Sequence, residues 1–205
     1  MEINFLGKDL FTCIRCGLCC SNQFETRKEL LIYPEEAEVL IALGFQKKIL
    51  VEIKEDLVFP DTKNKVLLVA RYKIKFKNNL CPFLKENLCE LYDNRPIICR
   101  AFPLIVKEKS NEEFEVVLEQ SCEGFKMSKK NIDEFSDQSA YKKYFPSELK
   151  YLKDVFKKEK SILMKLQEME SKGKIQLGFD MTKDEYALAL KEWKRLDLFT
   201  DSDDF

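Results

Sequence analysis

Residues 13 to 20 read CIRCGLCC, four cysteines in eight positions of a chain that has no histidine. Sulfur packed this densely has few uses: the thiols pair as disulfides, pack as small apolar groups, or turn inward on a soft metal centre. Buried free cysteine does serve as a small hydrophobe, but that role gives no reason for four to share one loop. Cys13, Cys16 and Cys19 stand at i, i+3 and i+6, the C-x2-C-x2-C arrangement of iron-sulfur ferredoxins, in which a further cysteine arrives from elsewhere in the chain. Gly17 supplies the backbone freedom that a tightly wrapped loop requires. Neighbouring side chains usually point apart, so Cys20 is expected to serve a second centre or to stand outside the ligand set.

The remaining cysteines, Cys81, Cys89, Cys99 and Cys122, are too widely spaced for one ligand loop and reach a common centre only if the fold gathers them. Eight thiols suffice for two four-ligand sites. Zinc and iron-sulfur clusters both accept four thiolates, so the donors alone leave both open. Structural zinc commonly pairs one C-x2-C with a second short knuckle. The distal cysteines lack that knuckle, which favours an iron-sulfur cluster, of the 4Fe-4S type, with zinc as the alternative. Without imidazole, Cys/His zinc fingers, Ser-His-Asp triads and Cys-His nucleophiles are excluded. Arg95 and Arg100 flank Cys99 in RPIICRAFP, and guanidinium groups there would offset the negative charge of a thiolate centre, making both candidate cofactor-binding residues. Pairing of Arg95 with Asp93 or Glu90 is the competing reading.

Lys and Arg total 35 against 36 Asp and Glu, a net charge of -1, so no overall field draws the chain to nucleic acid or an anionic membrane, and neither is expected as a partner. MEINFLGKDLF has no signal-peptide pattern, and no run approaches the roughly 20 apolar residues of a membrane span. These features predict a cytoplasmic protein. In a reducing cytosol, clustered cysteines are more often metal ligands or catalytic thiols than disulfides. The abundance of charged residues, 35% of the chain, resembles proteins from very hot environments, whose intracellular members do carry disulfides, so pairwise linkage stays open.

Along the chain, YPEEAEVLIALG reads as a helix that starts at Pro34 and stops before Gly44. Residues 49 to 59 and 65 to 77 alternate and are rich in β-branched residues, predicting an antiparallel pair. Residues 78 to 104 should form compact turns with a short helix near Leu91, and LIVKEK with EFEVVLEQ a second hairpin around SNE. From about residue 126 the cysteines end and helix is expected. Leu152, Val155, Phe156, Ile162, Leu163, Leu166 and Met169 recur at helical spacing, and TKDEYALALKEWKRLDLF opens with Thr182 and Glu185 at capping-box spacing before the acidic tail DSDDF. Residues 126 to 175 carry 13 Lys against 8 acidic residues, which reads as a solvated helix face. The fold class expected is α+β: a small irregular cysteine-rich metal-binding core with short antiparallel strands over residues 1–125, followed by a mostly helical extension over 126–205.

CIRCGLCC followed by CPFLKENLCELYDNRPIICRAFP resembles the YkgJ-like cysteine-cluster family, described as zinc- or iron-chelating, over roughly residues 11 to 125. The resemblance rests on Cys13, Cys16, Cys19 and Cys20 with Cys81-Pro82, Cys89, Arg95-Pro96 and Cys99-Arg100. A relative, flagellin lysine N-methylase, is similar in carrying this signature and is associated with an iron-sulfur cluster and S-adenosylmethionine. No glycine-rich strand-turn-helix for a nucleotide is present, and x2 spacing on both sides of Cys16 departs from the C-x3-C-x2-C loop of radical S-adenosylmethionine enzymes. The reading is therefore a metal-binding protein holding one or two iron-sulfur clusters, with a redox, electron-transfer, sensing or accessory role alongside a redox or modification partner protein. The alternatives are a structural zinc protein that binds a partner and, third, a protein-lysine methyltransferase. No catalytic residue is evident.

Overall fold

A computed structural model describes residues 10–21, 29–108, 114–128, 132–135 and 138–199. It contains both helices and short, mainly antiparallel strands, with a helical C-terminal region, as the expected α+β class requires. The chain gathers into two compact units that interleave in sequence. One comprises Met1–Lys28 and Asn78–Val155, the other Glu29–Lys77 and Phe156–Phe205. All eight cysteines fall in the first.

The second unit is built on a sheet whose central strand is β3 (Val66–Lys75). β2 (Ile53–Asp61) pairs antiparallel along one edge, as the alternating pattern predicts, with register shifts around Leu57. β1 (Glu29–Ile32) covers the Tyr72–Lys75 end of the other edge, and β8 (Lys194–Asp197) pairs in parallel with Val66–Val69. Residues Val66 to Ala70 are all buried, the signature of a strand covered on both faces. Helix α1 (Pro34–Lys47) packs on this strand and starts at Pro34 as expected, with the Glu36 carboxylate accepting from the Tyr33 N–H at 3.0 Å.

The end expected for α1 is corrected: the helix continues through Gly44 to Lys47, and Lys48 takes the left-handed conformation that terminates it. Gly44 is a packing residue, since a Cβ there would lie 3.0 Å from Val51 Cγ2. A second correction concerns the C-terminal segment. α6 (Lys183–Glu192) begins with the expected capping box, Thr182 Oγ1 accepting from the Glu185 N–H at 3.3 Å, but it ends before KRLD, which forms β8. Leu196 of that run and Leu198 just after it are buried, so pairing with β3 outweighs helical continuation.

In the first unit, β4 (Leu84–Lys85) and β5 (Leu88–Cys89) form a minimal hairpin, followed by a 3-10 turn at Tyr92–Asn94 and α2 (Ile97–Ala101), close to the turns and short helix expected. β6 (Leu104–Glu108) and β7 (Phe114–Leu118) make the second expected hairpin; its SNE turn lies outside the described residues, as does the DSDDF tail. α3 (Glu123–Lys126) and α4 (Gln138–Tyr144) follow. The core joins Leu104, Leu118, Phe125, Phe135, Tyr141, Phe145 and Leu152, with Phe11 of the N-terminal loop packed against it. Helix α5 (Pro146–Ser171) is continuous and serves the first unit up to Val155 and the second from Phe156. Of its periodic apolar positions, Leu152, Ile162, Leu166 and Met169 are buried, whereas Phe156 and Leu163 are exposed. Among the described residues no helix is long and apolar enough to cross a membrane.

Candidate metal centre

Two stretches far apart in sequence meet at the cysteine loop. Cys20 and Ser21 run antiparallel to Leu80 and Cys81: the Cys81 N–H donates to the Cys20 carbonyl at 2.8 Å, and Ser21 bridges to Leu80. Before that junction the chain makes a 3-10 turn, Leu18–Cys20, entered through Gly17 at φ 73°. The β4–β5 hairpin turns through Glu86 and Asn87, both at positive φ, as a two-residue connection of its handedness requires. Gly17 lies directly on this turn. A Cβ on it would fall 2.8 Å from the Asn87 carbonyl oxygen and 2.9 Å from Leu84 Cδ1, so glycine is required both by φ and by space. On its other side the loop is fastened by the Phe11 N–H donating to the Tyr144 carbonyl at 2.8 Å, and Gly124 of α3 sits close beneath Phe11 and Thr12.

This docking gathers thiols. Cys19 and Cys20 do not diverge as neighbouring side chains were expected to, because the 3-10 turn brings their sulfurs to 3.9 Å. The Cys20 thiol also interacts with Cys81 and Cys89, so Cys20, expected to serve a second centre or to stand outside the ligand set, lies among three other cysteines. None of the eight cysteines is joined in a disulfide, and 3.9 Å is far beyond the roughly 2.05 Å of one.

Backbone N–H groups prepare individual sulfurs for negative charge. The Phe83 N–H points to Cys81, the Leu91 N–H to Cys89, and the N–H groups of Gly124 and Phe125 to Cys122. Cys89 is drawn down to about 7, first by its hydrogen bond from Cys20 and, against burial, by the Leu91 N–H and the Arg95 charge. Cys81 is lowered by Cys20 and the Phe83 N–H, while Cys20 holds its proton far more tightly, chiefly because it shares it with Cys19, Cys81 and Cys89. Burial pushes Cys122 up to about 11, with smaller contributions from Cys16 and Cys19.

Cys19, Cys20, Cys81 and Cys89 therefore form one group. Cys16 and Cys19 are near enough to act on Cys122, Cys13 is half-buried in the loop, and Cys99 is half-buried on α2, its N–H bonded to the Pro96 carbonyl at 2.9 Å. Among the described residues no three Cys, Asp or Glu side chains already stand at ligand spacing around one point, so the thiols are gathered without having converged. The donor set fits a thiophilic ion: four soft sulfurs, two of them poised by N–H groups, with one edge already 3.9 Å long, against about 3.8 Å for a tetrahedron of roughly 2.3 Å metal–sulfur bonds.

Of the two arginines, Arg95 lies beside this group. Its guanidinium stacks over the Tyr92 ring at 4.1 Å, its Nε donates to the Tyr92 carbonyl at 3.1 Å, and its charge favours the Cys89 thiolate. Arg100 donates from Nε to the Arg95 carbonyl at 2.5 Å and sits 5.6 Å from the Tyr151 ring, bracing Arg95 more than the thiols. Sequence reasoning missed Arg15, whose guanidinium lies 3.6 Å from the centroid of the same Tyr92 ring. Its position inside CIRC was the available signal. Tyr92 is half-buried and is the stacking platform for both arginines.

A family model with the CxxCxxCC signature, described as "Putative zinc- or iron-chelating domain", matches residues 12–123. The chain belongs to that family. The YkgJ-like resemblance is to this same family, and the match encloses all eight cysteines of the CxxCxxCC domain. No curated protein and no solved structure matches the chain.

Proposed function

We propose that the CxxCxxCC domain of this protein binds a single zinc or iron ion through Cys19, Cys20, Cys81 and Cys89, and that the ion clamps the N-terminal loop onto the β4–β5 hairpin. The observation that supports this reading is the 3.9 Å separation of the Cys19 and Cys20 sulfurs, close to the roughly 3.8 Å edge of a tetrahedron of thiolates around one ion. In a four-iron cluster each thiolate holds a different iron corner, which sets sulfurs farther apart than a shared ion does. Bound there, the ion would supply cross-linking of two remote segments and, if iron, one-electron chemistry. The chain's own residues hold the thiolates by backbone N–H groups and balance their charge with Arg95. A site closed by four protein sulfurs leaves no open position for substrate, so a structural role that presents the domain to a partner protein follows for zinc.

A second reading is supported by the C-x2-C-x2-C spacing together with the influence of Cys16 and Cys19 on Cys122: an iron-sulfur cluster on Cys13, Cys16, Cys19 and Cys122 with a redox or sensing role. The two readings differ in their ligands. Anaerobic purification followed by iron, sulfide and zinc analysis and an absorption spectrum, repeated on Cys81→Ser and Cys122→Ser, separates them. The single-ion reading expects one metal without sulfide, lost in Cys81→Ser and retained in Cys122→Ser. Acid-labile sulfide lost only in Cys122→Ser would replace it with the cluster, and metal-free protein would end both.

A further inference from the structure

The antiparallel crossing at the cysteine loop sets two thiols opposite each other by backbone register alone. Ser21 bridges to Leu80, so the next rung pairs Cys20 with Cys81, and the Cys81 N–H that donates to the Cys20 carbonyl at 2.8 Å lies on that rung. Residues opposed on a hydrogen-bonded rung have Cα atoms about 5.5 Å apart, inside the roughly 4.4–6.8 Å that a disulfide spans. The two thiols also interact with each other.

The neighbouring thiols are placed differently. Cys89 opposes Leu84 across the β4–β5 hairpin, so its register partner carries no sulfur. Cys19 and Cys20 have sulfurs 3.9 Å apart but are adjacent in sequence, and a bond between them would close a ring inside the loop and fasten it to nothing. A bond from Cys20 to Cys81 would instead join the loop to the segment on which it docks. Cys20 is half-buried, open enough for an oxidant as small as a hydroperoxide, while Cys81 is buried behind it.

We propose that Cys20 and Cys81 are a reversible redox pair, which a hydroperoxide converts to a disulfide when the protein holds no metal. One sulfur of the pair, as thiolate, attacks the peroxide oxygen and becomes a sulfenic acid as hydroxide leaves; the other sulfur displaces that hydroxyl, which departs as water with the second thiol's proton. Two electrons pass from the two sulfurs to the peroxide. The link to metal rests on the reading of Cys19, Cys20, Cys81 and Cys89 as ligands: once bonded to each other, Cys20 and Cys81 offer no thiolates, so ion and disulfide exclude one another while either holds the loop in place.

Peptide mapping of the full chain tests this. Protein freed of metal by a chelator and reduced is treated with hydrogen peroxide, its remaining thiols are blocked, and it is digested with trypsin without reduction. Cleavage after Arg15, Arg27, Lys77 and Lys85 leaves Cys81 as the sole cysteine of residues 78–85 and Cys20 within residues 16–27. The expected product joins these two peptides through Cys20, is reversed by dithiothreitol, persists in Cys122→Ser and is missing from Cys81→Ser. In zinc-loaded protein the link should form about tenfold or more slowly, with zinc passing to a chromophoric chelator as it forms. A wild-type map showing Cys19 joined to Cys20, a bond from Cys20 to Cys89, or only oxidation that dithiothreitol does not reverse overturns the proposal, and does so without recourse to any variant. A Cys20–Cys81 bond that forms equally fast with and without zinc upholds the redox pair and overturns the metal reading instead.

Discussion

Two glycines of this chain share a backbone conformation but not an environment, and substituting each by alanine isolates what holds the cysteine loop in place. Gly17 has φ 73° and Gly173 has φ 64°, so alanine at either position incurs the left-handed penalty of about 1–2 kcal/mol. At Gly173 nothing lies within 4 Å of the added Cβ, and that penalty is the whole cost. At Gly17 the Cβ meets the Asn87 carbonyl oxygen at 2.8 Å and Leu84 Cδ1 at 2.9 Å. The leucine tip can rotate aside, but the carbonyl belongs to a hairpin turn and moves only with β4 and β5. A further 1–3 kcal/mol is therefore expected from overpacking, about 2–5 kcal/mol in all. Because the same contact gathers Cys20, Cys81 and Cys89, the excess should appear in metal affinity as a loss of roughly 5- to 150-fold for Gly17→Ala relative to Gly173→Ala. Competition of the reduced protein with a chromophoric chelator for zinc reads this directly. Equal affinities for the two variants would refute the docking of the loop on the hairpin.

Three further outcomes follow from the same structure. Thiolate ligands must lose protons to bind, so zinc affinity of the reduced protein should rise with pH between about 6 and 8 and fall as protons return, by more than tenfold per pH unit if two or more protons leave; a flat chelator-competition profile would argue against thiolate ligation. Phe83, which follows Cys81 in sequence just before β4, is fully buried, and Phe83→Ala should cost about 3–5 kcal/mol in denaturant titration while lowering metal content. Thr182→Ala removes the α6 cap and should cost about 1 kcal/mol by the same titration with metal content unchanged, the two units being separately built.

Local chemistry made much of the fold legible. Pro34 and the alternation of residues 65 to 77 carry their own instructions, as do Thr182 and Glu185, and the elements form where those signals lie. Gly44 and KRLD misled because their roles are tertiary: one is small so that Val51 can approach, the other is a strand because β3 has an open edge. At the site, the crowding of sulfur pointed to metal, but the grouping did not follow from spacing. Cys20 was expected to point away from Cys19, and it is the 3-10 turn entered through Gly17, with pairing to residues 80 and 81, that turns it inward. Arg15 and Tyr92 gave no periodic signal; their stacking depends on a loop and a turn that are remote in sequence.

The interleaving of the two units sets an order of assembly. Cys20 leaves the ribosome about 60 residues ahead of Cys81, a delay of about 3–12 s at ordinary rates of synthesis, and an entire sheet segment must be made in between. During that interval the leading sulfurs are exposed on a nascent chain. A thiophilic ion or oxidant that reaches them in that interval meets the loop before the hairpin that completes the group exists.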